Sequence, residues 1–237
     1  ELSVTRLAMI ADCPRKFYLK NIIKLDDDDL KFIGPNEQSF EDIIEDDQNT
    51  ELSSKSFSSA GRGSFIHETL SEIILSNFEN TVDIDNKKDQ VIINQAVDKL
   101  RVYRDNFDFI SEQMIKFELL NYMISGIPDL ILKPKTDKND LEVWDFKTGK
   151  YSEEKLAPYY FQLYCYAYAC FKLGFAKPSF QIKIVVYFVD EDKVVDQLLS
   201  LPIVEKYLSN ELQKCKTPDQ LNLNHCEYCQ YNNICQK

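Results

Sequence analysis

The sequence predicts an α/β domain with a central mixed sheet flanked by helices, and two changes of pattern along its 237 residues indicate this class. Apolar residues recur at helical spacing through the first half, and the middle then changes to the short apolar runs of strands. A helical segment separates the last two predicted strands, as a crossover connection requires. An apolar content of 44% supports one sizeable core, so we expect a single domain spanning residues 1–237.

The first segment, SVTRLAMIADCPRKFYLKNIIKL, has apolar residues near helical spacing. Ser3 or Thr5 can cap its start and Pro14 should interrupt it, so we expect one or two helices. The chain start lacks the basic end, apolar middle and cleavage site of a signal peptide, and no apolar run approaches the roughly 18 to 20 residues of a membrane helix. These features predict a cytoplasmic protein without a membrane span.

Residues 26–56 form an acidic stretch with few apolar anchors and no periodicity. From Asp26 to Glu51 there are eleven acids and one base, a charge of −10 within the −11 of the whole chain. This composition predicts a solvated, mobile insertion rather than a metal site. A nucleic-acid mimic or an autoinhibitory flap is the alternative. Because the charge is confined to this stretch, it does not exclude DNA as a partner.

Two helices should follow the insertion. In GRGSFIHETLSEIILSNF one helical face collects six residues: Phe65, Ile66, Thr69, Leu70, Ile73 and Ile74. A second helical pattern runs from Gln90 to Phe107.

The middle of the chain reads as strands. MIKFELLNYMISGIPDLILK predicts two strands with a turn near Asn121, LEVWDFKTG a third and FQIKIVVYFVD a fourth. A helix from Glu153 to Leu173 separates the third and fourth strands, and a final helix from Val204 to Lys214 leads into a cysteine-rich tail, residues 215–237.

Three charged side chains stand inside predicted strands. Asp129 lies in GIPDLIL, and strand alternation puts Asp145 and Lys147 of VWDFKTG on one face, with Trp144 and Phe146 on the other. Salt bridges at a sheet edge would explain either segment alone. Together, two carboxylates suit a hard divalent cation, and a lysine on the same face can orient water and stabilise charge on a phosphate. That is the chemistry of phosphodiester hydrolysis.

The order GIPDLIL, then WDFKTGK, resembles the Asp, then Asp-x-Lys signature of the PD-(D/E)XK nuclease superfamily, and further segments are similar to its RecB-like branch. His67 in GRGSFIHETL matches a metal-binding histidine, and Glu118 in KFELL matches an acid on the strand before the first catalytic aspartate. Gln162 and Tyr166 in YYFQLYCYAYA match a Gln-x-x-x-Tyr motif. The resemblance covers nearly the whole chain and implies a restriction-endonuclease-like core.

The resemblance also implies roles. His67, Asp129, Asp145 and the Phe146 carbonyl would hold one or two Mg²⁺ or Mn²⁺ ions, and Lys147 would position the attacking water.

Gln162 and Tyr166 would support the DNA backbone or the catalytic lysine. Without the family, His67 reads as a core histidine, and the other two residues read as ordinary helix packing.

Seven cysteines are present, an odd number that favours a metal site or core thiols over a disulfide framework: Cys13, Cys165, Cys170, Cys215, Cys226, Cys229 and Cys235. Cys165 and Cys170, among apolar helical residues, read as buried thiols. The three tail thiols of HCEYCQYNNICQK need a fourth ligand to hold Zn²⁺ or an iron–sulfur cluster. The candidates are Cys13, Cys215 and, for zinc, His225.

The RecB-like nucleases that carry an iron–sulfur cluster combine one N-terminal cysteine with three C-terminal ones at similar spacing, and DCPRKFYLK resembles the segment with the lone cysteine. The resemblance implies a [4Fe–4S] cluster on Cys13, Cys226, Cys229 and Cys235, with zinc as the alternative. Such a cluster would clamp the two ends of the domain together.

Within this branch, DFKTGK and CPRKFYL are most similar to the C-terminal nuclease domain of AddB-type helicase–nucleases. The resemblance implies an exonuclease acting on single-stranded DNA ends in break repair and recombination, with a helicase domain or subunit as partner. A chain that starts at Glu1 fits an excised domain. The alternatives are a stand-alone nuclease of the CRISPR-adaptation type and an inactive DNA- or partner-binding module with a structural zinc.

Overall fold

A computed structural model describes residues 2–25, 59–80, 82–136, 140–214, 226, 229–232 and 235 of the chain. The predicted acidic insertion, residues 26–56, lies outside the described residues, as do Cys215 and His225. None of the helices in the described ranges is both long and apolar enough to cross a membrane.

The described strands form two sheets, and their bounds are β1 (Leu2–Ser3), β2 (Phe107–Ser111), β3 (Ile115–Leu119), β4 (Tyr122–Gly126), β5 (Leu130–Pro134), β6 (Glu142–Lys147), β7 (Gln181–Phe188) and β8 (Lys193–Ser200). The larger sheet has the order β2-β5-β6-β7-β8, and the smaller one has the order β1-β4-β3. In the larger sheet only β6 and β7 are parallel, with the other neighbours antiparallel. The predicted mixed sheet is confirmed.

Helices cover both faces of the larger sheet, and the α-helices are α1 (Val4–Asp12), α2 (Pro14–Phe17), α3 (Ser59–Leu75), α4 (Lys87–Arg101), α5 (Leu156–Lys172) and α6 (Leu201–Gln213). A π-helical turn, Tyr18–Ile23, continues α2. Helices α1, α5 and α6 pack together on one side, and α5 is the crossover between the parallel strands. Helices α3 and α4 pack on the other side.

Alternation along the central strands separates two cores. Val143 of β6 points into the core on the α5 side, whereas Trp144 and Phe146 point into the core under α3 and α4. All three side chains are buried. This division agrees with the predicted two faces of β6, because successive residues of a strand point to opposite sides.

Strands β2 to β5 form one long hairpin that bends in its middle. Residues 112–114 interrupt one arm and residues 127–129 interrupt the other, so the outer half pairs in the smaller sheet and the inner half in the larger one. The tip is a two-residue turn in which Leu120 and Asn121 both have positive φ, 49° and 66°. The bend, rather than the tip, faces the functional residues.

The N-terminal helices form as predicted. Ser3 caps α1 by accepting a hydrogen bond from the backbone N–H of Arg6 at 3.2 Å, and the break comes at Cys13, just before Pro14. Pro14 at the first position of α2 needs no hydrogen-bond partner for its nitrogen.

The fold differs from the prediction at three places. The helix expected from Gln90 to Phe107 ends at Arg101, and Phe107 begins strand β2 instead. The second strand expected in MIKFELLNYMISGIPDLILK is divided into β4 and β5 by the bend. A further strand, β8, completes an edge of the larger sheet beside β7.

Candidate active site

Helix α3 and the hairpin bend bring a histidine and a carboxylate together. His67 Nδ1 lies 3.4 Å from Asp129 Oδ1, and Asp129 Oδ2 accepts a hydrogen bond from the backbone N–H of Phe146 at 2.6 Å. The His67 ring meets the Phe146 ring edge to face at 6.1 Å. Burial lowers the pKa of His67, but the hydrogen bond and charge of Asp129 outweigh it and leave this pKa raised. In the absence of metal, Asp129 therefore favours the protonated form of His67.

A third side chain able to bind a metal ion is that of Glu112, which no motif in the sequence marks. Among the described residues, the ligand atoms of His67, Glu112 and Asp129 all lie within 4.8 Å of one another. Glu112 follows β2 with a φ of 50° and lies at the bend opposite Asp129. Burial and then the negative charge of Asp129 raise the pKa of Glu112.

The expected role of Glu118 is not supported by its position. This acid lies in β3 of the smaller sheet, on the exposed face, opposite Met123 at the outer end of the hairpin. The acid that reaches the site from this arm is Glu112, because the arm bends there.

Asp145 and Lys147 form a largely buried ion pair on the face of β6 opposite Trp144 and Phe146, as the strand alternation predicts. Asp145 is only 4% exposed, and its Oδ2 lies 2.7 Å from Lys147 Nζ. Among the described residues, Lys147 is the one partner found for this oxygen. A buried carboxylate oxygen in this state can accept a further cation.

The charges around the pair link it to the His67 group. Burial raises the pKa of Asp145 to about 6, Lys147 opposes that rise and Asp129 adds to it. Burial lowers the pKa of Lys147, but the negative charges of Asp145 and Asp129 leave it raised, so the lysine stays charged. Its Nζ also lies 4.9 Å from the ring centroid of Tyr159, which faces it from α5.

Tyr166 supports the bend from helix α5. Its hydroxyl donates a hydrogen bond to the carbonyl oxygen of Ile127 at 3.1 Å, two residues before Asp129. Its ring packs so closely against Gly126 that a Cβ there would lie 2.7 Å from a ring carbon. Burial raises the pKa of Tyr166, so the hydroxyl keeps its proton. Gln162 lies one turn earlier on this helix, partly buried.

The donor set fits a hard divalent cation such as Mg²⁺ or Mn²⁺. His67, Glu112 and Asp129 supply one nitrogen and carboxylate oxygens within one ion's reach, and Asp145 offers a further buried carboxylate. A groove of about 880 Å³ opens beside these residues, along the exposed side of α3. The site is therefore accessible to a large ligand.

The four cysteines predicted to share a metal centre come from the two ends of the chain and lie near one another. The thiols of Cys13, Cys226 and Cys229 are close enough to Cys235 for their charges to raise its pKa, although burial is the larger cause and Arg15 opposes both. Cys13 Sγ also accepts a hydrogen bond from the backbone N–H of Lys16 at 3.5 Å.

The tail that carries three of these thiols is anchored to the N-terminal region. The buried Tyr231 donates a hydrogen bond from its hydroxyl to the Leu25 carbonyl at 3.1 Å. By contrast, Cys165 and Cys170 are fully buried core thiols, as predicted, and burial raises the pKa of Cys170 to about 12.

The chain is similar to two solved structures and to one family model. The solved structure named SSO0001 aligns over 99% of this chain and 85% of its own, with a TM-score of 0.50 and 16% identity, a likeness that shows the fold. A "Putative exonuclease" from Eubacterium rectale aligns over 78% of each chain, with a TM-score of 0.41 and 12% identity. No protein in the curated set matches the chain in sequence. A family model for the PD-(D/E)XK nuclease superfamily matches residues 1–236.

Proposed function

The chain belongs to the PD-(D/E)XK nuclease superfamily, and on that basis we propose that it is a divalent-metal-dependent deoxyribonuclease that hydrolyses phosphodiester bonds. The observation that carries the proposal is the buried pair of Asp145 and Lys147, 2.7 Å apart, beside the group of His67, Glu112 and Asp129. Burying an acid and a lysine costs desolvation energy, so this pair adds little to the stability of the fold. The same groups suit the binding of a metal ion and a phosphate.

His67, Asp129, Asp145, Glu112 and the Phe146 carbonyl would hold Mg²⁺ or Mn²⁺. The bound cation would lower the pKa of water and offset the negative charge of the phosphate.

The chain's own residues orient the reaction. Lys147 carries its charge where it can donate to the attacking water and to a phosphate oxygen, and Asp145 fixes that ammonium group. Asp129 is held in turn by the Phe146 N–H, and the bend that carries it is held by Tyr166. Gln162 would contact the DNA backbone on the same helix face as Tyr166.

Single-stranded DNA, and ends in particular, is the proposed substrate. The groove beside the metal ligands is open, and contacts to phosphates carry no base sequence, so cleavage should depend little on sequence. We further propose that the chain works in DNA break repair and recombination beside a helicase domain or subunit of the AddB type. A stand-alone nuclease of the CRISPR-adaptation type is the alternative.

We propose that Cys13, Cys226, Cys229 and Cys235 hold a [4Fe–4S] cluster. Their mutual effect on the pKa of Cys235 supports a shared centre. Four thiolates suit either a [4Fe–4S] cluster or a tetrahedral Zn²⁺ ion, so metal analysis has to distinguish the two.

The proposed activity is tested with end-labelled single- and double-stranded DNA, under anaerobic conditions, with Mg²⁺ or Mn²⁺. Wild-type protein should shorten the labelled strand, and EDTA should stop it. Lys147→Ala and Asp145→Ala should abolish cleavage while DNA binding, measured by fluorescence anisotropy, changes little.

Lys172 provides a matched control for Lys147. Its ammonium also lies 4.9 Å from a tyrosine ring, that of Tyr168, and pairs with Glu205 at 3.7 Å, but it is at the far end of α5. Lys172→Ala should cleave like the wild type. Undiminished cleavage by Lys147→Ala would overturn the proposal.

An inactive module that binds DNA or a partner and carries structural zinc is the second candidate. It predicts a colourless, zinc-containing protein that binds DNA without cutting it at any metal concentration. The complete set of Asp129, Asp145 and Lys147 favours an active enzyme over this alternative.

A further inference from the structure

Helix α3 carries an arginine that contacts Asp190, in the turn just after β7, the parallel neighbour of β6. Arg62 Nη1 and Nη2 donate to the two oxygens of Asp190 at 3.0 and 2.6 Å, a bidentate pair. Its Nε donates to Asp89 Oδ1 at 2.9 Å. The Arg62 side chain is 25% exposed and the two carboxylates 12% and 6%, so the network is largely shielded from water.

The Asp190 side chain binds the backbone of the turn that follows Lys147. Its Oδ2 accepts a short hydrogen bond from the N–H of Gly149, two residues after Lys147. Gly149 has a φ of 94°, in the left-handed region that favours glycine, so the chain turns sharply there. The adjacent Glu191 accepts from the N–H of Tyr151 at 3.0 Å. Two consecutive acids therefore fix the turn that ends strand β6.

Helix α3 also touches this turn directly. A Cβ placed on Gly63 would lie 3.2 Å from Thr148 Oγ1, so helix and turn are in close packing. Arg62, Gly63 and His67 thus belong to one helix that contacts the loop after Lys147 at one point and Asp129 at another. Helix α3 therefore connects the proposed metal ligands with the turn after Lys147, the residue that would position the attacking water.

We propose that Arg62 is a positioning residue for Lys147, acting through Asp190 and the Gly149 N–H. This inference rests on the proposed nuclease activity. The bidentate contact with Arg62 holds the Asp190 carboxylate in one orientation. That carboxylate in turn holds the Gly149 N–H and, with it, the turn after Lys147. Asp89 neutralises the same guanidinium, and its contacts within the described part of the chain are with Arg62 and Asn86 rather than with the turn.

The prediction is a change in turnover without a change in binding. Arg62→Lys keeps the charge but loses the bidentate fork, and Asp190→Ala removes the acceptor of the Gly149 N–H. Because small misplacements of a reacting group cost up to ~100-fold in rate, we expect kcat to fall ~10- to 100-fold in both variants. KM and Mn²⁺ affinity, measured by calorimetry, should stay within ~3-fold, since the metal ligands keep their contacts.

Asp89→Ala is the matched control, because it also removes a buried carboxylate from Arg62. It should lower the melting temperature about as much as Asp190→Ala yet leave kcat within ~2-fold of the wild type. Hydrogen exchange gives a readout that does not depend on activity. Exchange at Gly149 and Tyr151 should accelerate in Asp190→Ala and Arg62→Lys and stay slow in Asp89→Ala.

Two results would overturn the inference: wild-type kcat and slow Gly149 exchange in Arg62→Lys and Asp190→Ala, or an equal loss of kcat in Asp89→Ala, which would mean that the network serves only folding. If the wild-type protein cleaves no DNA, the proposed function fails instead. In that case exchange at Gly149 still decides whether Arg62 and Asp190 hold the turn.

Discussion

Glu112 and Asp129 face each other across the bend of the long hairpin, where the Glu112 backbone N–H donates to the Asp129 carbonyl oxygen at 3.4 Å. Their carboxylates reach the same point as His67. The Asp129 carbonyl also accepts from the Ser111 hydroxyl at 2.9 Å, so the bend is fixed from both neighbouring positions. Two acids held this close by backbone contacts repel each other unless a cation joins them.

Replacing Glu112 with Gln should weaken metal binding. The substitution keeps the shape of the side chain and removes one negative charge from the group, so we expect Mn²⁺ affinity to fall by ~10-fold. Isothermal titration calorimetry at neutral pH measures this directly. Glu118→Gln, on the exposed face of the smaller sheet, is the control and should bind Mn²⁺ like the wild type. Equal affinities for both variants would remove Glu112 from the metal site.

The contrast between Glu112 and Glu118 shows where sequence reasoning succeeded. Asp129, Asp145, Lys147 and His67 were found because strand alternation and the order of the motifs locate them, and the structure brings them together. Glu112 was missed because it lies between strands, at a positive φ that no alternation pattern predicts.

The missed strands have a physical reason of the same kind. Phe107 and Phe109 alternate at strand spacing, but Phe107 follows helix α4 after a short turn and was read as the end of that helix. In β8 most residues are exposed or partly exposed, because it is an edge strand, so its apolar pattern is weak. The Arg62 network could not be predicted at all, since it depends on four segments meeting in space.

Asp145 should make the stability of the metal-free protein fall as pH rises. Its pKa is raised from 3.8 to about 6 in the folded state, so the folded protein binds this proton more tightly than the unfolded chain does. The stabilising effect of that proton is fully present below about pH 4 and is lost as pH rises through about 6, a change of up to ~3 kcal/mol. Above that pH, titration of Asp145 no longer changes the free energy of unfolding.

Asp145→Asn tests this linkage because it cannot titrate. In EDTA, its free energy of unfolding relative to the wild type should increase between about pH 4 and 6, as measured by denaturant melts. Asp196→Asn, an exposed acid on β8, should leave the pH dependence unchanged. Mg²⁺ should restore stability to the wild type at pH 7, since the ion requires the ionised carboxylate. A constant difference across this range would contradict the raised pKa.

Tyr166→Phe should loosen the bend without disturbing the metal ligands themselves. The variant loses the hydrogen bond to the Ile127 carbonyl and leaves that oxygen unpaired, which should cost about 1 kcal/mol of stability. Because Asp129 lies two residues further on, we expect kcat to fall by ~10-fold.

Tyr164→Phe is the control on the same helix. Its hydroxyl contacts Gln197 at 3.3 Å, away from the site, so its loss should affect stability only. If Tyr166→Phe cleaves as fast as Tyr164→Phe, the tyrosine of this motif acts in packing alone.

The four clustered cysteines should determine the colour of the protein. Purified anaerobically, the wild type should be brown, and Cys229→Ala should be colourless, because a [4Fe–4S] cluster needs its thiolates. Cys170→Ala, which removes a fully buried core thiol on α5, should remain brown. Iron and sulfide content, measured beside zinc, distinguishes the two metal centres, and a colourless wild type that contains zinc would refute the cluster.

Loss of the cluster should also loosen the N-terminal region, because the tail is tied to it at two points. Cys13 would share the proposed centre with the tail, and Tyr231 donates to the Leu25 carbonyl. Joining segments more than 200 residues apart, this link restricts the unfolded chain strongly, so its removal should lower stability by ~3 to 5 kcal/mol. Hydrogen exchange in residues 14–25 should therefore accelerate in Cys229→Ala but not in Cys170→Ala. Unchanged exchange there would show that the N-terminal helices hold their place without the tail.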